Sequence, residues 1–282
     1  MKSLYSTTNI LFILIITCLI LPSSRPFPWY LLTLVVVIRV ITLLRPILSG
    51  SDKDRTITGD ISAIVYGVLL AWYLATTRFP VMDKFLFPQP EAVLALFVSE
   101  LPDMLKGLVN SLILLVSGYL LALVTAVPLG LVIGWRRRLF HAINPFTKVL
   151  GPIPPTVYIP YAIALLPTFR LASIFVIFVG AFWPLLINTI NGVFNIEKTL
   201  IDSALVLRLK ERTMLVRIIL PGALPSIAAG ATLALVFSFI LLTAAELIGA
   251  TSGVGWYVKN FADFADYPRV VVGILFIGLV VT

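Results

Sequence analysis

Long apolar runs with almost no charge recur along this chain, and they limit what it can fold into. An α-helix needs about 20 mostly apolar residues to cross a bilayer. Backbone polar groups find no partner in lipid, so the segments that cross it must be helical. The runs are residues 8–21, 29–44, 61–76, 108–134, 149–169, 171–194, 222–249 and 270–282. They predict an all-α, polytopic transmembrane helical bundle of about eight spans.

Composition agrees with a chain that uses lipid as its solvent. Of the 282 residues, 60% are hydrophobic and only 12% are charged. A soluble domain has about 25% charged residues, and a single core of this size could not cover so much apolar surface. The composition therefore excludes an ordinary soluble domain.

Lysine and arginine placement predicts the orientation of the spans. With the N-terminus inside, thirteen of these residues fall on the cytoplasmic side and seven on the outer side. Cytoplasmic loops carry the excess of positive charge in membrane proteins. Both termini are then cytoplasmic. Arg39 lies within the second run, and we expect its side chain to reach the inner interface.

The net charge of +8 does not indicate a nucleic-acid partner. The positive residues form short clusters between apolar runs and make no continuous basic stripe of the kind that follows a phosphate backbone. The bilayer is the partner that this pattern predicts. The chain has one cysteine and one histidine. An internal disulfide would need a second cysteine, and no metal-ligand spacing is present.

The ends of the sequence each leave an alternative open. Residues 3–24 are uncharged and end in a weak cleavage-like pattern at Leu21-Pro22-Ser23-Ser24. A retained helix is favoured over a cleaved signal peptide, because the stretch is long enough to span a bilayer. Thr282 ends inside an apolar run, which leaves open whether the natural C-terminus lies further on.

Three regions follow from the pattern of runs and charges. Residues 1–80 hold three N-terminal transmembrane helices, residues 81–107 form a periplasmic connection, and residues 108–282 form the remaining core. Within that core, the coupling loop (residues 195–221) is charged and reads as short helices with apolar faces. Such a face must be covered by the membrane surface or by another protein, and the pattern alone leaves both open.

The coupling loop carries a motif that resembles a known family. Permease subunits of binding-protein-dependent ABC importers have a cytoplasmic signature there: Glu-Ala-Ala, three residues, Gly, nine residues, Ile, one residue and Leu-Pro. At this spacing the chain has Asp202, Ser203, Ala204, Arg208, Ile218, Leu220 and Pro221.

Other segments resemble the nitrate, sulfonate, taurine and bicarbonate branch of that family, in the same order along residues 85–282. They are Phe87-Pro-Gln-Pro90-Glu-Ala-Val, Asn110-Ser-Leu, Val127-Pro-Leu-Gly-Leu131, Gly151-Pro-Ile-Pro-Pro155, Ala181-Phe-Trp-Pro184, Asn188-Thr, Ala244-Ala-Glu-Leu-Ile-Gly-Ala250 and Gly253-Val-Gly255. Three departures stand out. Asp202 replaces the family's glutamate with a shorter carboxylate. Arg208 replaces the family's glycine, which suits a turn with positive φ, and the first 80 residues hold three helices where the branch usually has one.

The resemblance implies a permease subunit with a five-helix core, forming the passage of an ATP-driven importer by alternating access. ATP and Mg²⁺ then belong to separate cytoplasmic ABC ATPase subunits, and no cofactor is expected on this chain, which has no phosphate-binding Gly-x-x-x-x-Gly-Lys motif. The other implied partners are an extracytoplasmic substrate-binding protein and a second permease chain, identical or homologous. A small anion is the expected solute, and a vitamin precursor such as a thiamine-pyrimidine or a riboflavin-like solute is the alternative.

Two groups of residues are the candidate sites. The resemblance assigns ATPase coupling to Asp202, Ser203, Ala204, Leu207, Arg208, Leu220 and Pro221. The candidates for the translocation pathway are Pro154, Pro155, Tyr158, Asn188 and Glu246. Prolines break helical hydrogen bonding, and such backbone is tolerated at membrane depth where it lines a cavity or is covered by protein.

Alternative roles remain open for the pathway candidates. Glu246 is an acid in an apolar run, so it must face the passage or a partner helix. Asn188 could equally form a hydrogen bond between helices, and the proline-rich run could be a kinked packing helix. We also expect the outer segments 83–103 and 253–268 to meet the binding protein.

Two other classes of protein fit the sequence less well. A secondary transporter would carry inverted repeats and several charged residues at mid-membrane, and neither is visible in the sequence. A polytopic membrane enzyme would need clustered histidine, aspartate or cysteine at one membrane face, and the chain has a single histidine and a single cysteine.

Overall fold

The computed structural model describes residues 2–21, 26–49, 52–79, 81–83, 85–206 and 209–282. Every regular element of these residues is helical. The elements are α1 (Lys2–Ile20), α2 (Trp29–Ser49), α3 (Asp52–Tyr73), a π-turn (Leu74–Arg78), α4 (Pro90–Trp135), α5 (Arg137–Leu150), a 3₁₀ turn (Pro155–Tyr158), α6 (Ile159–Leu165), α7 (Phe169–Phe194), α8 (Lys198–Val206), α9 (Glu211–Met214), a second π-turn (Leu215–Ile219), α10 (Leu220–Gly249), α11 (Val254–Asp263) and α12 (Tyr267–Val281).

The predicted all-α polytopic architecture is confirmed. Within the described ranges, four helices are long and apolar enough to cross a membrane: Ile57–Arg78, Pro90–Trp135, Phe169–Phe194 and Glu211–Gly249. Three shorter apolar helices are Thr7–Ile20, Pro155–Leu165 and Tyr267–Val281. The predicted run 29–44 lies on α2, so every predicted run is wholly or partly helical.

The fifth predicted run, residues 149–169, is not one helix. α5 ends within it at Leu150, the chain forms a 3₁₀ turn over Pro155–Tyr158, and α6 covers only Ile159–Leu165. Proline has no N–H to donate and its ring clashes with the preceding turn. The break therefore falls where the prolines are concentrated.

The fourth predicted run begins earlier than its composition indicates. α4 is a single helix of 46 residues from Pro90 to Trp135, so residues 90–107 of the predicted connection are helical and continuous with the span. The position of these residues outside the membrane stays a prediction.

The helices group into two compact units. The first contains Met1–Pro102 with Asn260–Leu279, and the second contains Asp103–Lys259 with Val280–Thr282. In the first unit, α1, α2 and α3 enclose a core of Ile15, Leu31, Val35 and Tyr66, among others. The boundaries at residues 80 and 107 drawn from the sequence stay predictions.

Polar side chains join the three N-terminal helices inside the first unit. Thr8 donates to the Gly59 carbonyl at 2.9 Å, and the hydroxyls of Thr42 and Ser62 lie 2.7 Å apart. Arg39 donates to Asn9 Oδ1 at 2.5 Å. The Phe12 ring of α1 lies 5.2 Å from the guanidinium, so α1 supplies both partners, and the position of Arg39 at the inner interface stays a prediction.

In the second unit, α7 packs along α10, and α4 packs against α7 through a row of small residues. The row has a residue at every fourth position and consists of Gly118, Ala122, Ala126, Gly130 and Gly134. Ala122 and Ala126 are fully buried. A β-carbon added at Gly130 would lie 2.6 Å from the Thr189 β-carbon. Small side chains on this face therefore let the two backbones approach closely.

Candidate coupling loop and transport pathway

The coupling loop contains two helical pieces, α8 and the run that begins with α9. α8 follows the end of α7, and the N–H groups of Leu200 and Ile201 donate to the Glu197 carbonyl as the helix begins. After residue 210, α9, the second π-turn and α10 form one uninterrupted helical run, Glu211–Gly249. The second piece of the loop is therefore the start of a membrane-spanning helix.

One face of the loop is packed inside the protein. Ala204 is 4% exposed, Met214 is 2% exposed and Ile219 is fully buried. They share one apolar cluster with Val193 of α7 and Ala223 of α10. Ala204 thus holds α8 against the membrane helices of its own chain, and its small side chain is needed for that packing.

The rest of α8 is largely exposed. Asp202 and Ser203 are exposed, as are the apolar side chains of Leu200 and Val206, at 47% and 82%. Leu207 and Arg208 lie outside the described residues. Leu220 is half-buried beside the cluster under α8, and Pro221 is exposed in the first turn of α10. The loop therefore presents acidic, hydroxyl and apolar side chains on one short helix.

An ion pair also connects the loop to the end of α4. Arg136 donates to Glu211, with a closest separation of 3.0 Å. Both side chains are more than half exposed, so the pair contributes at most about 1 kcal/mol to stability. The pair connects the end of α4 to the start of α9, and no local sequence pattern indicates a contact between residues 75 apart.

The proline-rich segment lies beside the α7–α10 pair. Pro154 is exposed, while Pro155 and Tyr158 are half-buried. A β-carbon added at Gly180 of α7 would lie 3.6 Å from Pro155 Cγ. The Val157 N–H donates to the Pro154 carbonyl at 3.1 Å. These three candidates are thus brought together on one non-α segment, and their place on a passage stays a prediction.

Asn188 forms a hydrogen bond within its own helix. Its amide donates to the Pro184 carbonyl at 2.8 Å. A β-carbon added at Gly230 of α10 would lie 2.6 Å from the Asn188 β-carbon, so Asn188 faces a close approach of α10. Among the described residues, the hydrogen bond of this side chain is to its own helix rather than to a neighbouring one.

Glu246 is the most enclosed acidic residue among those described, at 1% exposure. Ser111 of α4 donates its hydroxyl to Glu246 Oε1 at 2.5 Å. The Gly255 N–H of α11 donates to Oε2 at 2.7 Å, and the Val254 N–H donates to Ser111 Oγ at 3.0 Å. Sequence reasoning identified Glu246 but none of these partners, although all of them lie in segments that carry the family resemblance.

On the first unit, a second polar cluster surrounds Arg269. Arg269 donates to Glu100 and to Asp266, each at 2.5 Å, and its guanidinium lies 5.0 Å from the Phe261 ring. Asp266 was expected to be available to a binding protein. Its carboxylate is instead engaged by Arg269, which leaves less of it free for an outside partner.

No group of three histidine, cysteine, aspartate or glutamate side chains placed to hold a metal ion occurs in the part of the chain that the structure describes. A cofactor on the chain is not expected from the sequence, and that expectation stays a prediction.

A helical polytopic scaffold with a short amphipathic helix between two spans is the architecture of a transporter's membrane subunit. Residues 126–282 match the family described as binding-protein-dependent transport system inner membrane component. The chain belongs to this family, and the resemblance found in the sequence is confirmed.

Three relatives illustrate the similarity. A putative ABC transporter permease protein of Methanocaldococcus jannaschii is 31% identical over 225 residues, covering 77% of this chain and 82% of the relative. The nitrate import permease protein NrtB of Leptolyngbya laminosa is 33% identical over 163 residues, or 58% of each chain. The bicarbonate transport system permease protein CmpB of Synechococcus elongatus is 31% identical over 180 residues, covering 62% of this chain and 65% of the relative.

Proposed function

We propose that this chain forms the passage of an ATP-driven importer for a small anion such as nitrate, a sulfonate or bicarbonate, by alternating access. The observation that carries the proposal is the coupling loop, in which α8 is fixed to α7 and α10 on one face and is largely exposed elsewhere. Family membership supports the importer, and the nitrate and bicarbonate relatives support an anion.

The exposed part of α8 suits a cytoplasmic ABC ATPase. Burying an exposed valine or leucine side chain stabilises a complex by about 1.5–3 kcal/mol before the costs of association. Val206 offers one such side chain on the face opposite Ala204, and Leu200 is an exposed apolar side chain nearer to the Ala204 side. Asp202 and Ser203 add polar groups that can bind to the rim of a groove on the ATPase.

The same loop suits the transmission of movement. α8 packs through Ala204 onto the Met214–Ile219 segment, which continues without interruption into α10. An ATPase pair that closes on ATP would therefore displace α10 together with α8. Such rigid movements of packed helices are one of the ways in which transporters and switches change state.

The proposal includes partners and an orientation. ATP hydrolysis takes place on the separate ATPase subunits, and a substrate-binding protein delivers the solute from outside. A second permease chain, identical or homologous, completes the passage, with Pro154, Pro155 and Tyr158 in its wall. The chain lies in the cell inner membrane with both termini cytoplasmic, as the distribution of lysine and arginine favours.

Substitution of Val206 tests ATPase docking. We expect Val206→Asp to abolish co-purification of the co-expressed ATPase partner, because a carboxylate would replace apolar area at the contact. The control is Val81→Asp, at an 85% exposed valine between α3 and α4, which should retain the ATPase. Equal retention by both variants would contradict docking through α8. Ala204 is unsuitable for this test, because it is buried in the chain's own cluster.

A further inference from the structure

Three segments far apart in the chain meet around one carboxylate. Ser111 lies in α4, Glu246 in the last turn of α10, and Gly253, Val254 and Gly255 at the start of α11. The Glu246 carboxylate accepts from the Ser111 hydroxyl and from the Gly255 N–H. This cluster lies entirely within the second unit.

The cluster supplies hydrogen-bond acceptors for backbone N–H groups in the first turn of α11. The first N–H groups of a helix have no partner within the helix, and Val254 and Gly255 are buried, so water does not replace one. Ser111 accepts from Val254 and Glu246 accepts from Gly255. The negative carboxylate also lies where the positive end of the helix dipole favours it.

The backbone around Glu246 leaves no room for a looser arrangement. Gly253 has a φ of +127°, a conformation that side chains disfavour, and a β-carbon there would overlap the Glu246 carboxylate. A β-carbon at Gly107 of α4 would lie 3.3 Å from the Gly253 carbonyl carbon. The Ser252 hydroxyl is also 3.3 Å from the Asn110 amide.

We propose that Glu246 is a positioning residue for transport: it locks the first turn of α11 to α10 and α4. α10 begins at the coupling loop and ends at this lock. A movement of its cytoplasmic end is therefore transmitted to α11. The proposal rests on the importer function proposed above. It assigns Glu246 no contact with the solute, since both of its oxygens are already engaged and the side chain is 1% exposed.

Four variants test the lock in the complete complex with ATPase and binding protein. Glu246→Ala removes both acceptors, Ser111→Ala removes the hydroxyl, and Gly253→Ala adds a β-carbon onto the carboxylate without changing any charge. Glu246→Gln keeps an acceptor for the Gly255 N–H. The control is Gly278→Ala, whose added β-carbon meets no atom within 4 Å.

The expected readout separates coupling from solute contact. Glu246→Ala, Ser111→Ala and Gly253→Ala should lower binding-protein-stimulated ATP hydrolysis about fivefold or more, in the range of typical coupling energies. Basal hydrolysis, ATPase co-purification and the KM for delivered solute should stay unchanged. Glu246→Gln and Gly278→Ala should stay near the wild-type stimulation.

Two results of the transport and ATPase assays would overturn the lock. One is a shift in KM for Glu246→Gln as large as that for Glu246→Ala, which indicates contact with the solute. The other is normal stimulation in Gly253→Ala. Hydrogen exchange at the Val254 and Gly255 amides gives a second measurement that needs no ATPase. Protection should fall in Glu246→Ala and Ser111→Ala, and unchanged protection would contradict the lock. Failure of the wild-type chain to retain an ATPase would contradict the importer function instead.

Discussion

Two glutamates in this chain accept hydrogen bonds from the first turn of a helix other than their own. Glu246 accepts from the first turn of α11, and Glu91 of α4 accepts from Tyr30 at 3.0 Å and from Leu31 at 2.9 Å, in the first turn of α2. In soluble proteins such N–H groups are often satisfied by water or a local cap. Where an apolar environment excludes water, a carboxylate from another segment takes that role.

Replacement of Glu91 tests this role. Glu91→Ala leaves the N–H of the fully buried Leu31 without its acceptor, which should lower the free energy of unfolding by about 1–3 kcal/mol. Thermal unfolding of the purified protein in detergent measures the change. Glu91→Gln keeps an acceptor and should lose less. A Glu91→Ala protein as stable as wild type would show that the contact contributes nothing.

Sequence reasoning could identify Glu246 but not its partners. A lone acid in an apolar run stands out, because an isolated charge in lipid is costly. Ser111 is 135 residues away in sequence, and no local pattern encodes a contact of that separation. Asn188 was open between pathway and interhelical roles, and its observed bond goes to the Pro184 carbonyl, one turn earlier in its own helix.

At the scale of the elements, helix packing depends on the row of small residues along α4. Gly130 and Gly134 face Thr189 and Val193 of α7 so closely that a β-carbon would lie 2.6 Å and 2.8 Å from their β-carbons. Without a hydrophobic driving force between helices in lipid, close van der Waals contact is a main source of association. The four-residue spacing was visible in the sequence and was the signal that could have predicted this face.

Gly130→Ala should therefore destabilise the protein. Overpacking of a tight contact costs about 1–3 kcal/mol, visible as a lower unfolding temperature in detergent. Gly67→Ala is the matched control, since a β-carbon on Gly67 of α3 meets no atom within 4 Å. If Gly130→Ala and Gly67→Ala unfolded at the same temperature, close packing of α4 on α7 would not limit stability.

In the proline-rich run, the sequence predicts the irregularity but not the extent of the helix that follows it. Five prolines in residues 149–169 predicted an irregular segment. They did not predict that α6 would last only from Ile159 to Leu165, because the restart of a helix depends on tertiary contacts. The partner of Arg39 was equally unpredictable from local sequence, because Asn9 lies on another helix.

At the scale of the whole molecule, apolar runs and a spaced motif were enough to predict the all-α bundle and the family. These features depend on solvent preference and on local sequence, both of which are readable without coordinates. The division of the coupling loop into packed and exposed positions could not be predicted from the sequence. Ala204 lies in the motif beside exposed Asp202 and Ser203, and only the structure separates its role from theirs.

Uptake into proteoliposomes tests the central claim most directly. The chain is reconstituted with its neighbouring ATPase, with ATP inside or outside the vesicles and binding protein on the opposite side, and labelled nitrate or bicarbonate is followed. We predict accumulation of an anion that requires both ATP on the ATPase side and the binding protein, and that is lost in Val206→Asp. Accumulation driven by an ion gradient without ATP would contradict the account and indicate a secondary transporter.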